Sequence, residues 1–127
     1  MSLFFGSDSI VLRYSDVNAA KQWWIRVFDC KEVPVPADWD NPLPSDVALK
    51  LPGDLEPTVL LSSRSEAERA GRIEPDHPTV FTRKLKQAYE RVCERGAAAS
   101  PPQEEGGLEL FEITDPEGNV IEVCNEP

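Results

Sequence analysis

Residues 114–123 read Thr114-Asp115-Pro116-Glu117-Gly118-Asn119-Val120-Ile121-Glu122-Val123, and the fold is decided there. Asp-Pro followed by Glu-Gly-Asn predicts a tight turn: Pro116 presets φ, and Gly118 or Asn119 accommodates a left-handed backbone. The turn separates two strand-like runs, 108–114 and 119–124, so a β-hairpin is expected. Glu122 is the odd residue of the second run. Period-two alternation turns it to the face opposite Ile121 and Val123. A carboxylate so placed lies either on a sheet surface or in a cleft.

Working outward, residues 79–82 read as a strand and 84–95 as a helix. Leu85, Ala88, Val92 and Cys93 share one helix face, and Gly96 is the stop. Residues 97–100 lead into Pro101-Pro102 and a polar turn at 103–107. The first half of the chain repeats this order. Residues 9–14 are a strand, Asp16 is an N-cap, and 17–28 is a helix with Val17, Ala20, Trp24, Val27 and Phe28 at helical spacing. Trp23 lies off that stripe, packed in the core or at an interface. Asp29 ends the helix where glycine would be easier.

Residues 31–35 are a short strand that Pro34 and Pro36 confine to an edge. Strands 47–51 and 58–62 follow, joined by Pro52-Gly53-Asp54. Between them and the earlier strand runs a proline- and aspartate-rich loop, 36–46, carrying Trp39. Such a loop either covers a ligand site or docks on the core. Each half thus reads strand, helix, then two or three strands, a repeat of order rather than of letters. The expected organisation is one domain over residues 1–127. Its first module spans about 7–63, its linker about 64–76 and its second module about 77–125.

The chain has 127 residues, 40% hydrophobic and 28% charged, enough to bury a core without disulfides. Thirteen Lys and Arg against 23 Asp and Glu leave a net charge of −10. That balance disfavours nucleic acid and suits a cationic ligand. No apolar run reaches membrane-span length, so no membrane partner is expected. Three cysteines without paired spacing point to reduced, buried thiols and a cytoplasmic setting.

Three stretches together resemble the vicinal oxygen chelate superfamily, which holds glyoxalase I, bleomycin-resistance proteins and extradiol dioxygenases. They are Ile10-Val11-Leu12-Arg13-Tyr14-Ser15-Asp16 with Trp23-Trp24, Ala88 through Ala97, and the hairpin from Asp115 to Val123. The resemblance implies an α+β fold of two βαβββ modules, whose curled mixed sheets surround a cleft. It also implies homodimers and, in metal-dependent members, a divalent ion held by the first and last strands of each module.

Carried over one position at a time, the last-strand carboxylate is Glu122 and the second module's first-strand ligand is His77. The first module offers Ser9, a poor ligand, and a fourth position near Leu60 or Leu61, which cannot bind metal. Asp8 is one residue from Ser9, a slip that turns its side chain to the other face. His77 is the only histidine. It reads as an exposed loop residue, a cleft-facing binder or a ligand. Arg13 shares strand parity with Ser9, and Thr79 and Phe81 share it with His77.

The expected binding cleft is therefore Ser9, Arg13, Trp39, His77, Thr79, Phe81 and Glu122, with no cofactor and no assigned catalytic residue. A small molecule would be sequestered there, cationic or aromatic, held by stacking and cation–π contacts from Trp39 and Phe81. The competing expectation is a lyase, isomerase, thiol transferase or dioxygenase using nickel, zinc, manganese or iron on His77 and Glu122. A partner domain that binds nothing is the third.

Overall fold

The computed structural model describes residues 4–7, 10–37, 42–71 and 78–125. Its first half runs β1 (Phe4–Ser7), β2 (Ile10–Tyr14), α1 (Val17–Phe28), β3 (Lys31–Val33), β4 (Val47–Lys50), β5 (Val59–Ser63) and α2 (Arg64–Arg69). The second runs β6 (Thr79–Thr82), α3 (Leu85–Glu94), β7 (Ala98–Ala99), β8 (Gln103–Glu105), β9 (Leu108–Thr114) and β10 (Val120–Asn125). One sheet has the order β2-β5-β4-β3. The other has β1-β6-β10-β9-β7, with β8 also on β9. Both are mixed: β2 runs parallel to β5 and β6 parallel to β10, while the hairpin partners are antiparallel. The fold is α+β, and neither sheet closes into a barrel.

Local chemistry explains the helix limits. Asp16 accepts the Ala19 N–H at 3.0 Å and caps α1. Asp29 ends it in the left-handed region at φ 58°, the cost of lacking glycine there. At the end of α3, Gly96 takes φ 82°. The Gly96 N–H donates to Cys93 O and the Ala97 N–H to Val92 O, both at 3.0 Å, a Schellman closure. Arg95 then ties the helices together, donating to Val27 O at 3.1 Å and pairing with Asp29 at 3.0 Å.

One core joins the inner faces of both sheets to α1 and α3. Trp24, Phe28, Tyr14 and Phe4 are at most 1% exposed. Each large side chain so buried contributes about 1.5–3 kcal/mol. Trp23 belongs to this core as well, edge-on to Trp24 and Phe28.

Two elements are added to the expected ones and two local expectations are corrected. The span read as linker contains α2, whose Ala67 is buried. Phe4–Ser7 forms a strand on β6, anchored by Phe4 against Phe28 at 5.1 Å. The polar segment 103–107 begins as strand β8 and turns at Gly106-Gly107. Cys93 is exposed rather than on the buried face of α3, whose core residues are Leu85, Ala88 and Val92, so only Cys30 and Cys124 are buried thiols.

Candidate ligand-binding face

Each sheet turns one face to the helices and the other away from them. On β2 the inward residues are Ile10, Leu12 and Tyr14, leaving Val11 and Arg13 half-buried on the helix-free face. On β6, Val80 and Thr82 point inward, and Thr79 and Phe81 lie half-buried on the other face. Glu122, between buried Ile121 and Val123, shares that face.

Strand register maps the face rung by rung. Thr79 is the Cα partner of Glu122, and Glu122 of Glu112. Two carboxylates therefore stand directly across from each other. Neither residue spends its backbone on the other. The Glu122 N–H donates to Pro78 O, while Glu112 exchanges bonds with Ser100, whose N–H donates to Glu112 O at 2.8 Å. The Ser100 hydroxyl accepts the Glu112 N–H at 3.1 Å. The pair is the narrow, non-hydrogen-bonded kind, with Cα atoms about 4.5 Å apart and side chains close. One rung along, Phe81 partners Cys124 and Cys124 partners Leu110, an apolar strip. Burial pushes the Cys124 thiol pKa up, and the charge of Glu122 pushes it further. Both effects disfavour the thiolate form of this buried side chain.

The first sheet repeats the layout with polarity inverted. Leu85 opens α3 68 residues after Val17 opens α1, which superposes Val11 on Thr79 and Arg13 on Phe81. Val11 partners Leu60, and Leu60 partners Ala48. Where the second sheet has Thr79, Glu122 and Glu112, the first has Val11, Leu60 and Ala48. The polar positions sit one rung on, where Arg13 partners Ser62. The Ser62 hydroxyl donates to Asp46 Oδ1 at 2.8 Å, and Asp46 Oδ2 accepts the Leu43 N–H. The end of the 36–46 loop is thereby anchored on β5.

Of the residues expected in the cleft, the structure brings Thr79 and Glu122 side by side, places Phe81 on the next rung, and puts Arg13 on the other sheet. Ser9, Trp39 and His77 lie outside the described residues. Glu112 and Leu110 were missed from the sequence. Of the four positions at which the resemblance implies metal ligands, two fall among the described residues: Glu122, opposite Thr79, and the one near Leu60 or Leu61, of which Leu60 stands opposite Val11. A hydrocarbon at one of four donor positions does not fit a closed ligand set. Among the described residues no three His, Cys, Asp or Glu side chains gather around a common point.

The hairpin turn has its own chemistry. Asp115 is 4% exposed, and its carboxylate accepts the Tyr14 hydroxyl at 2.6 Å, the Glu117 and Asn119 N–H groups at 3.0 and 2.8 Å, and Asn119 Nδ2 at 2.9 Å. Tyr14 in turn accepts the Trp24 indole N–H at 3.0 Å. Burial, then the bond to Asp115, drives the Tyr14 hydroxyl pKa far upward, so it stays neutral.

The Asp115-Pro-Glu-Gly-Asn turn thus clamps the last hairpin to β2 and α1. The family model described as "Glyoxalase-like domain" matches residues 9–124. The chain belongs to that family, within the vicinal oxygen chelate superfamily. No curated protein sequence matches it.

Solved structures share the fold of this glyoxalase-like domain. A glyoxalase/bleomycin resistance protein/dioxygenase superfamily member from Sphaerobacter thermophilus DSM 20745 is 24% identical, with TM-score 0.72, over 95% of this chain and 97% of that one. Lactoylglutathione lyase from Agrobacterium tumefaciens is 20% identical, with TM-score 0.71, over 93% and 91%. TioX from Micromonospora sp. ML1 is 20% identical, with TM-score 0.69, over 93% and 94%.

Glu117 completes the clamp of the glyoxalase-like domain. Its carboxylate accepts the Ser15 and Asp16 N–H groups at 2.7 and 3.0 Å and lies 3.9 Å from Arg64. Partial burial raises its pKa, but the Ser15 and Asp16 bonds and Arg64 outweigh this and leave it below the ordinary 4.5. Folding thus lowers the proton affinity of Glu117. The stability it contributes is complete above about pH 5 and is lost as pH falls through the folded value. The Glu117→Gln variant is expected to show a flatter fall in denaturant midpoint between about pH 5 and about pH 3 than the parent. Parallel profiles would remove Glu117 from the acid response.

Proposed function

We propose that this glyoxalase-like domain binds a small organic cation with an apolar or planar body on the helix-free face of its sheets. One observation carries the proposal: register sets Glu112 against Glu122, while the equivalent rung holds Leu60 and Ala48. An acidic wall and an apolar wall suit the two ends of such a molecule, and the net charge of −10 favours its approach. Arg13, Thr79, Phe81 and Glu122 belong to this proposed site, as do Ser9, Trp39 and His77 from the sequence. Sequestration rather than turnover is proposed, in a reducing cytoplasm and as a homodimer.

The test is calorimetric titration with a cationic glycopeptide antibiotic of the bleomycin type, together with metal analysis of protein purified without chelator. Saturable binding to metal-free protein is expected. No heat at about millimolar ligand removes the sequestration reading. Near-stoichiometric nickel, zinc, manganese or iron would instead favour the metal-dependent lyase, isomerase, transferase or dioxygenase reading.

A further inference from the structure

A pocket lined mainly by polar residues lies where β2 and β5 end and α2 begins. Its volume is about 290 Å³, and it is lined by Tyr14, Ser15, Ser63, Arg64, Ser65 and Glu68. The strand ends of β2 and β5 and the first turn of α2 build it, and none of these residues lies on the rungs described above.

Two features mark it as more than a surface dent. Arg64 and Glu68 are four residues apart on α2, a spacing at which opposite charges can pair. Among the described residues Arg64 turns instead towards Glu117 and the Arg13 carbonyl, through long contacts of 3.9 and 3.4 Å. A guanidinium and a carboxylate thus both line the cavity, with no ion pair between them among the described residues. The Ser63 and Ser65 hydroxyls of the same lining share one hydrogen bond at 3.1 Å, and both can rotate towards an incoming acceptor.

We infer that this pocket takes a small zwitterion of the amino-acid type. Its carboxylate lies on the planar donor fork of Arg64 and the two serine hydroxyls, and its ammonium lies on Glu68. A simple anion is disfavoured because Glu68 lines the cavity and Glu117 lies beside Arg64, and a simple cation is disfavoured by the Arg64 charge itself. Both charged groups are substantially exposed, so the expected affinity is modest, with a Kd of about 1–10 mM.

The experiment is a ¹⁵N–¹H NMR titration of the whole chain with L-glutamine, which has a zwitterionic head and a neutral side chain. Acetate and methylammonium serve as half-ligands. Saturable shifts at residues 14–15 and 63–68 are expected with L-glutamine, and binding about tenfold or more weaker with either half-ligand. Glu68→Gln and Arg64→Gln should each weaken L-glutamine by about tenfold or more. Because Arg64 also faces Glu117, the Glu68→Gln result decides the role of the charge pair. Equal binding of acetate, equal binding by Glu68→Gln, or no saturable shift at these residues each overturns the inference.

Discussion

Replacing Asp115 by alanine is expected to cost about 3–5 kcal/mol, the largest stability loss for a single polar substitution in this chain. Its carboxylate accepts four hydrogen bonds from three residues while only 4% exposed. Removing it strands the Tyr14 hydroxyl and the Asn119 donors, and each buried donor left without an acceptor costs about 1–3 kcal/mol. Tyr14→Phe removes one bond to Asp115 and the acceptor of the Trp24 indole, so about 1–2 kcal/mol is expected. Denaturant unfolding measures both, and Asp115→Asn supplies an intermediate should the alanine variant fail to fold. A loss below about 1 kcal/mol for Asp115→Ala would mean that the turn, not the network, holds the hairpin to β2.

That network shows where sequence reading stops. The turn was legible because Pro116 and Gly118 have strong local preferences. Its purpose was not, since Tyr14 lies 101 residues from Asp115 and no local rule joins them. Helices α1 and α3 were legible for the same local reasons: caps, helical apolar spacing and the glycine stop at Gly96. Strand β1 is four residues long and draws its stability from a distant partner, so its own letters carry little signal. Cys93 was misplaced because its spacing puts it beside Val92, and a one-residue rotation on a helix separates a buried face from an exposed one.

For the helix-free face, parity placed Arg13, Thr79, Phe81 and Glu122 opposite their buried strand neighbours, as the burial alternation has them. Glu112 was within reach: a hairpin folded about residues 115–119 pairs 114 with 120, and hence 112 with 122. That Leu60 rather than Leu61 stands opposite Val11 was not. It depends on the parallel register of β2 on β5, which only the folded chain supplies.

The carboxylate pair gives the other large effect, because it should move binding and stability in opposite directions. Like charges directly opposed on neighbouring strands cost about 0.2–1 kcal/mol, so Glu112→Gln and Glu122→Gln should each raise the unfolding midpoint slightly. Each substitution should also weaken a cationic ligand by about 1–2 kcal/mol, or about 5–30-fold, since a half-buried pair keeps only part of its Coulomb energy. The double variant should lose about 100-fold or more while remaining at least as stable as the parent. Calorimetric titration with the cationic glycopeptide, run beside urea unfolding of the same samples, reads both quantities. A stable double variant that binds as well as the parent would place the ligand elsewhere. A destabilised one would show that the carboxylates are held by partners on the sheet, and that the acidic wall is structural.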